Sequence, residues 1–310
     1  MTAAPARTST RSTPMLFSRQ RQLLRLLDAF GGSSGMLDFQ KFLFLYCQEP
    51  TTRDALYDFV PYKFGAFSFT SYADRRKLIE RGLLENKDGW HITDEGRNII
   101  GRTMDMQFDA FARRHRHLHG DALVADTYRR FPFFAIRSEI AERVLKGDEA
   151  ALARIKAIPT TETGPRLSTI GYEGHTLEAY LMSLLKNGVT LLCDVRRNPI
   201  SRKYGFSKNT LAHGCQGVGI RYEHLPELGI ASDQRQSLDT QADYDALFEE
   251  YARHSLPQQG LALNQIHSWI EGGQRVALTC YEHLPHQCHR RCVAEALVAK
   301  AGNNLVAKHL

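Results

Sequence analysis

Long apolar runs are missing from this chain. No stretch of its 310 residues approaches eighteen consecutive apolar side chains, so we expect no transmembrane helix and no membrane partner. The start of the chain also lacks the apolar core of a secretory signal. Its arginines, serines and threonines resemble a transit peptide in composition, but we interpret residues 1–17 as a flexible basic tail. The absences predict a cytoplasmic protein.

Cysteine is scarce as well. Six cysteines in 310 residues, several inside apolar runs, indicate reduced thiols in the cytoplasm. Cys280, Cys288 and Cys292 with a histidine are an alternative zinc set. Their spacing, C-x7-C-x3-C, lacks the close cysteine pair of common zinc sites. We therefore expect no metal and no cofactor.

The charge balance is mildly positive. Forty lysines and arginines against 34 acidic residues give a net charge of +6, which favours a polyanionic partner, namely nucleic acid (DNA first) or a nucleotide. An excess of this size is also compatible with an ordinary solvated surface.

The length of the chain predicts two domains.

The N-terminal region, residues 18–100, alternates helical patterns with turn signals. Ser68 or Thr70 is a candidate cap for a helix through Leu78, and LLENKDGWHITDEG (83–96) is typical of a hairpin. Helices followed by a hairpin predict a winged-helix-like α+β domain. The stretches KFLF and PYKFGAFS resemble the Panacea-like antitoxin family and related winged helices. The resemblance implies a fold, and it leaves open binding to DNA, to another protein or to a second copy as a homodimer.

A helical basic-aromatic connector is predicted over residues 101–157, followed by a Thr/Pro/Gly linker at 158–166. Arginines interleaved with aromatic rings stack on bases and neutralise phosphates. The alternative is a packed aromatic turn with snorkelling arginines. The candidate nucleic-acid-binding residues are Arg113, Arg114, Arg116, Arg129, Arg130 and Phe131.

From Leu167 to the end, at residue 310, strand and helix patterns alternate. Alternation predicts a Rossmann-like α/β domain, a mostly parallel sheet with helices on both faces. Ligands of such sheets lie beyond the carboxyl ends of the strands. The candidate substrate- or anion-binding residues at those ends are Gly171, Tyr172, Arg196, Arg197, Ser201, Arg202, Tyr222, His224 and Arg290.

The stretch TCYEHLPHQCHRRC (279–292) concentrates reactive side chains where a strand passes into a helix. A helix beginning at Cys288 would bind an anion and lower the pKa of that thiol, which makes it a candidate nucleophile. The candidate catalytic residues are Asp194, Glu282, Cys288 and His289. The alternatives are an Asp194–Arg196 ion pair of structural character, and cysteines that are only core residues.

Four stretches carry a family resemblance: TIGYEGHTLEAYLMSLLKNGV, LLCDVRRNPISRKYGFSKNTL, GIRYEHLPELG and LTCYEHLPHQCHRRCVAEAL. In order and spacing they resemble family 488 of the domains of unknown function, over residues 167–310. The resemblance implies an α/β sandwich whose motifs face a common cleft, with no settled activity. The usual Leu-Gly-Gly of that family stands here as Leu228-Gly229-Ile230.

These features predict a nucleic-acid- or nucleotide-directed enzyme, a hydrolase or transferase acting at a glycosidic or phosphate centre. The winged helix would bind the nucleic acid. One alternative is a winged-helix regulator whose α/β domain senses an anionic small molecule. Another is an antitoxin-like or defence-associated protein-binding module.

Overall fold

A computed structural model describes residues 16–49, 56–101, 106–158, 166–235, 238–302 and 305–310. Most of the predicted tail (1–17) and linker (158–166) lies outside these ranges. Within the described residues, none of the helices has the length and apolar character needed to cross a membrane.

The helices of the described residues are α1 (Ser18–Ala29), α2 (Met36–Cys47), α3 (Phe69–Glu80), α4 (Asp94–Ile100), α5 (Met106–His115), α6 (Gly120–Arg130), α7 (Ala141–Val144), α8 (Glu149–Lys156), α9 (Leu177–Lys186), α10 (Lys208–Gly217), α11 (Gln241–Glu250), α12 (Gly260–Glu271) and α13 (Arg290–Ala301). The strands are β1 (Ser33–Ser34), β2 (Val60–Tyr62), β3 (Gly65–Phe67), β4 (Trp90–His91), β5 (Leu167–Gly171), β6 (Leu191–Asp194), β7 (Arg221–His224), β8 (Val276–Cys280) and β9 (Ala307–His309).

The chain divides into two compact units, each built from two separate segments. Unit 1 joins residues 1–36 to 74–116, and unit 2 joins 37–73 to 117–310. The predicted domain boundaries at residues 100 and 166 stay predictions.

Unit 1 is a small α+β assembly. Strands β1 and β4 pair antiparallel, and an isolated bridge joins Leu84 to Ile92. Arg75 donates to the carbonyls of Lys87 and Gly89, which stabilises the turn between these two residues. Within the hairpin predicted over 83–96, the two arms also share two backbone hydrogen bonds, from the Glu85 N–H to the His91 carbonyl and from the Thr93 N–H to the Leu83 carbonyl. The winged-helix interpretation stays a prediction.

A five-stranded parallel sheet forms the centre of unit 2, in the order β7-β6-β8-β5-β9. The α/β class and the parallel sheet predicted from the sequence are confirmed. The apolar runs of β5, β6 and β8 are buried along their whole length, as parallel strands covered on both faces require. In register, Asp194 lies beside Thr279, and Gly171 beside Cys280. All five carboxyl ends therefore meet at one edge.

Alternate residues of these strands enter two hydrophobic clusters. Leu191 and Leu278 pack in the cluster that contains residues of α12 and α13. Leu192 and Ala277 pack in the cluster that contains residues of α9 and α10. Because neighbouring strand residues point to opposite faces, the sheet is covered by helices on both sides.

The start of α3 is fixed to the sheet part of unit 2 by a distant carboxylate. The buried Glu178 accepts from the backbone N–H of Thr70 at 2.6 Å and from the hydroxyl of Ser68 at 3.0 Å. Ser68, the predicted cap, also accepts from the N–H of Ser71. Burial raises the pKa of Glu178. Residues 37–73 share a unit with the sheet in part through these contacts.

Candidate functional site

A cleft of about 430 Å³ opens at the carboxyl edge of the sheet. Its described lining contains five cationic side chains and no carboxylate. The cationic residues are Arg196, Arg197, Arg202, Lys203 and Arg235. Six of the residues predicted for the site meet in this lining: Tyr172, Arg196, Arg197, Ser201, Arg202 and His289.

Asp194 closes β6 as the centre of a saturated network, which we call the Asp194 network (Asp194, Arg196, Tyr172 and Tyr222). Arg196 donates through Nε to Oδ1 at 2.8 Å and through Nη2 to Oδ2 at 2.5 Å. Its backbone N–H also donates to Oδ1, and the Tyr222 hydroxyl donates to Oδ2 at 2.7 Å. Each carboxylate oxygen thus accepts two hydrogen bonds, while the side chain is completely buried.

The remaining donors of Arg196 are also engaged. Its Nη1 donates to the hydroxyl of Tyr172 at 3.0 Å and to the carbonyl of Phe206 at 2.9 Å, and the guanidinium lies over the Tyr172 ring. Burial and the charge of Asp194 raise the pKa of Tyr222, so that hydroxyl stays a donor. The network fixes the floor of the cleft and leaves Asp194 no lone pair for chemistry.

Three other predicted residues support the backbone around the cleft. A Cβ added to Gly171 would lie 1.8 Å from the Glu282 carbonyl oxygen, so only glycine permits this approach of two loops. The Nε2–H of His224 donates to the Arg196 carbonyl. Arg290 is fully buried and donates to the carbonyls of Glu282 and of the following residue. The structure therefore places Arg290 behind the cleft, where it holds the loop.

The end of β8 carries a second group of residues, the thiol cluster (Cys280, Glu282, Cys288, His289 and Arg235). Cys280 Sγ lies 3.4 Å from Oε2 of Glu282 and 3.8 Å from Nδ1 of His289. Arg235 donates through Nη1 to Glu282 Oε1 at 2.9 Å, and its Nη2 lies 2.6 Å from His289 Nδ1. Cys280 and His289 face the cleft.

The tautomer of His289 follows from its surroundings. Its Nε2 lies 3.0 Å from the carbonyl oxygen of Val195, which can only accept. The ring proton therefore sits on Nε2, and Nδ1 presents a lone pair towards Arg235 and the two thiols. Thr279 and β6 keep the carbonyl of Val195 in place, since the Val195 N–H donates to the Thr279 carbonyl.

The two thiols of the cluster differ in acidity, and the order is opposite to the sequence expectation. A hydrogen bond with Cys288 lowers the pKa of Cys280 well below its usual value, against the effect of burial. Burial raises the pKa of Cys288, and burial with the charge of Cys280 raises that of Glu282. The lowered pKa predicted for Cys288 was wrong because α13 begins only at Arg290. Cys288 is an extended, buried residue before that helix.

The cluster also holds ligand atoms at metal-binding separations. The Sγ atoms of Cys280 and Cys288 and a ring nitrogen of His289 lie within 4.8 Å of one another. Cys292, the third cysteine considered from the sequence, is not part of this group.

The predicted nucleic-acid-binding arginines in and directly after α5 belong to unit 1 and are exposed. They are Arg113, Arg114 and Arg116. The guanidinium of Arg114 lies 6.0 Å from the centre of the Phe111 ring, so one of the three stacks within its own helix.

The other predicted nucleic-acid-binding residues belong to unit 2. Arg129 and Arg130 are exposed and form ion pairs with aspartates at 2.7 and 3.4 Å. Phe131 packs edge-on against Phe44 with ring centres 5.1 Å apart. None of the six residues lines the cleft, and their contact with nucleic acid stays a prediction.

The cleft residues that were not predicted from the sequence include Lys203, Tyr281 and Arg235. Lys203 directly follows the predicted Ser201 and Arg202, and Tyr281 stands between Cys280 and Glu282, so adjacency was an available signal for both. Arg235 comes from the connection between β7 and α11. Nothing local in that stretch marks it, because its role depends on reaching a distant strand end.

Comparison with known proteins agrees with part of the resemblance. No curated protein and no solved structure matches the chain, and nothing in the comparisons supports the Panacea-like resemblance of the N-terminal region. Residues 176–297, which contain the ends of β6, β7 and β8 and most of the cleft, match the family described as "Domain of unknown function DUF488".

Proposed function

We propose that this protein is an enzyme that acts on a nucleotide or nucleic acid by hydrolysis or group transfer, in the cleft at the carboxyl edge of the sheet. The single observation that carries the proposal is the lining of the cleft, five cations without a carboxylate, beside a reactive thiol cluster.

The cations of the cleft are not equally available. Arg196 is neutralised by Asp194, and Arg235 by Glu282. Within the described residues, none of the other three, Arg197, Arg202 and Lys203, forms an ion pair. Arg197 and Arg202 are also exposed. An anion entering the cleft therefore meets cationic side chains that form no ion pair, and arginine binds phosphate and carboxylate groups through two parallel hydrogen bonds.

An aromatic ring beside these cations favours a nucleotide over a bare phosphate. Tyr281 is 46% exposed and lines the cleft. Its ring lies edge-on to that of Tyr172, with centres 5.3 Å apart. An exposed ring next to cations is the usual platform for a base whose phosphate is bound nearby.

The thiol cluster supplies the chemistry. Cys280, His289 and Glu282 combine a thiol of lowered pKa, an imidazole lone pair and a carboxylate within a few ångströms of one another. Such a set serves nucleophilic or acid–base catalysis. Asp194, which shares the predicted catalytic role, serves in this proposal as the support of Arg196.

The proposal gives the N-terminal region the role of binding the polymer. Arg76 and Lys77 are exposed on α3, close in sequence to the turn at 87–89 that Arg75 stabilises. A helix that presents basic side chains to the major groove is the usual means by which helix-turn-helix domains contact DNA. All six cysteines are free, which favours the cytoplasm.

The test is binding of the purified chain to short single- and double-stranded DNA and RNA and to free nucleotides, at two salt concentrations, with mass spectrometry of the recovered ligand. We expect salt-sensitive binding and altered bases, sugars or strands. Binding without any chemical change would favour the sensor alternative, and no binding at low salt would contradict both.

Two arginine variants place the interaction in the cleft. Arg197→Ala is expected to weaken binding about tenfold and to reduce the salt slope by about one phosphate contact. Arg154→Ala is the matched control, because Arg154 is equally an exposed arginine of unit 2 and does not line the cleft. Equal effects of the two variants would contradict the assignment of the cleft.

A further inference from the structure

We propose that Cys280, Cys288 and His289 bind a zinc-type divalent ion through two sulfur atoms and Nδ1, with the fourth coordination position open to the cleft. The proposal reverses our expectation from the spacing of the cysteines. It uses the Cys280 sulfur and the His289 Nδ1 that the proposed function assigns to catalysis, and with an ion bound these atoms serve as ligands. Zinc retention is measured without nucleic acid, so failure of the metal site and failure of the proposed activity are distinguishable.

The distances suit one ion. In a tetrahedral zinc site with Zn–S about 2.3 Å and Zn–N about 2.0 Å, sulfur and nitrogen ligands lie about 3.5 Å apart and two sulfurs about 3.8 Å. Cys280 Sγ lies 3.8 Å from His289 Nδ1, and all three ligand atoms lie within 4.8 Å of one another. Closing on an ion requires shifts of an ångström or less.

The three ligands come from well-defined elements. Cys280 is the last residue of β8, and His289 is the N-cap of α13. Cys288 lies between a 3₁₀ turn and that helix, in an extended conformation with φ −142° and ψ 132°. This change of backbone conformation lets two adjacent residues point at one centre, which the spacing of a sequence pattern does not reveal. All three side chains are buried.

The second coordination sphere is already present. The Nε2–H of His289 faces the carbonyl of Val195 at 3.0 Å. Histidines that bind metal through one nitrogen commonly donate the other N–H to a carbonyl or carboxylate, which fixes the tautomer and the ring orientation. Here the hydrogen bond leaves Nδ1, the nitrogen that faces the thiols, without a proton.

The cluster attracts positive charge. Two sulfurs, an imidazole lone pair and the Glu282 carboxylate converge in a buried space, and the guanidinium of Arg235 lies at 2.6 Å from Nδ1 and 2.9 Å from the carboxylate. Arg235 thus occupies the position of a cation. A metal ion takes over this contact with Nδ1, and Arg235 keeps its ion pair with Glu282.

The donor set selects the metal and the type of site. Two thiolates and one imidazole suit zinc, a borderline-soft ion, and are unsuited to magnesium or calcium, which prefer oxygen ligands. Three protein ligands with an open fourth position are typical of catalytic zinc sites. Because Cys280 and His289 line the cleft, the open position faces the place where water or a substrate atom would bind.

The test measures metal in the full-length chain, without nucleic acid. Metal-free protein is incubated with Zn²⁺, passed over a chelating resin and analysed for retained zinc. We expect one zinc per wild-type chain, affinity at least 100-fold weaker in Cys280→Ser/Cys288→Ser, and undiminished zinc in Cys292→Ser, the matched cysteine of the same helix region. Co²⁺ is expected to give a thiolate charge-transfer band that the double variant lacks.

X-ray absorption at the zinc edge of the wild-type protein tests directly whether sulfur atoms bind the ion. This test needs no variant, so misfolding of the double variant does not affect it. We expect two Zn–S distances of about 2.3 Å. Absence of retained zinc in the wild type, equal zinc in the double variant when folded, or a shell without sulfur would overturn the proposal.

Discussion

The Asp194 network and the thiol cluster lie at the ends of two adjacent parallel strands, β6 and β8, and they are built on opposite rules. In the first, the two carboxylate oxygens of Asp194 accept four hydrogen bonds, and Arg196 reaches four acceptor atoms in three residues. In the second, Nδ1 of His289 and the Glu282 carboxylate both contact Arg235, and Cys280 Sγ lies close to both of them.

The difference teaches which of the predicted residues can react. Charged groups whose hydrogen-bonding capacity is filled by each other hold a loop in place. Groups with fewer hydrogen-bond donors around them keep lone pairs that can accept a proton or bind a metal or a substrate. Both sets combine an acidic residue, an arginine and an aromatic ring around the end of a strand. Residue type and position therefore do not separate support from chemistry, but hydrogen-bond saturation does.

The largest expected effect falls on the Asp194 network. In Asp194→Asn, the side-chain NH2 group faces two hydrogen-bond donors that the carboxylate oxygen accepted, and the buried Arg196 loses its counter-ion. We therefore expect the free energy of unfolding to fall by about 3–5 kcal/mol. Denaturant unfolding measures it. The control is Glu142→Gln, which removes an exposed ion pair with Lys156 and should change stability far less. Wild-type stability of Asp194→Asn would show that the network does not support the fold.

A smaller effect is expected from one hydrogen bond of the same network. Tyr222→Phe removes the donor at 2.7 Å from Asp194 Oδ2 and keeps the ring. Loss of a hydrogen bond to a charged group should lower the free energy of unfolding by about 1.5–3 kcal/mol. Ligand binding in the cleft should stay near that of the wild type, because Tyr222 does not line it. Weakened ligand binding with an unchanged free energy of unfolding would show that Tyr222 serves the cleft and does not support the fold.

The smallest effect is expected on the cleft side of the comparison. Tyr281→Ala removes the exposed ring and should weaken nucleotide binding about tenfold, without affecting the binding of inorganic phosphate. Tyr281→Phe keeps the stacking surface and serves as the control. Isothermal titration with a nucleotide and with phosphate distinguishes the two ligands. An equal loss for phosphate would show that Tyr281 does not contact a base.

The sequence was sufficient for the features that depend on local periodicity. Apolar strands alternating with helical patterns predicted the parallel sheet, and the rule for strand ends brought Tyr172, Arg196, Arg197 and His289 to one cleft. Prediction from the sequence failed where a feature depends on the backbone conformation of a single residue or on a contact with a residue far away in the chain. Because α13 begins at Arg290, the thiol with the lowered pKa is that of Cys280 and not that of Cys288. Arg235 contacts Glu282 from a connecting segment that carries no recognisable motif.

The most direct test of the central claim, that chemistry belongs to the thiol cluster and support to the Asp194 network, uses Glu282→Gln. Glutamine keeps an oxygen for Arg235 and removes the negative charge. On any nucleotide or oligonucleotide that the wild type converts, we expect product formation to fall at least a hundredfold, at the lower end of general acid–base contributions, with the unfolding midpoint close to that of the wild type. Full turnover by a folded Glu282→Gln protein would contradict the account.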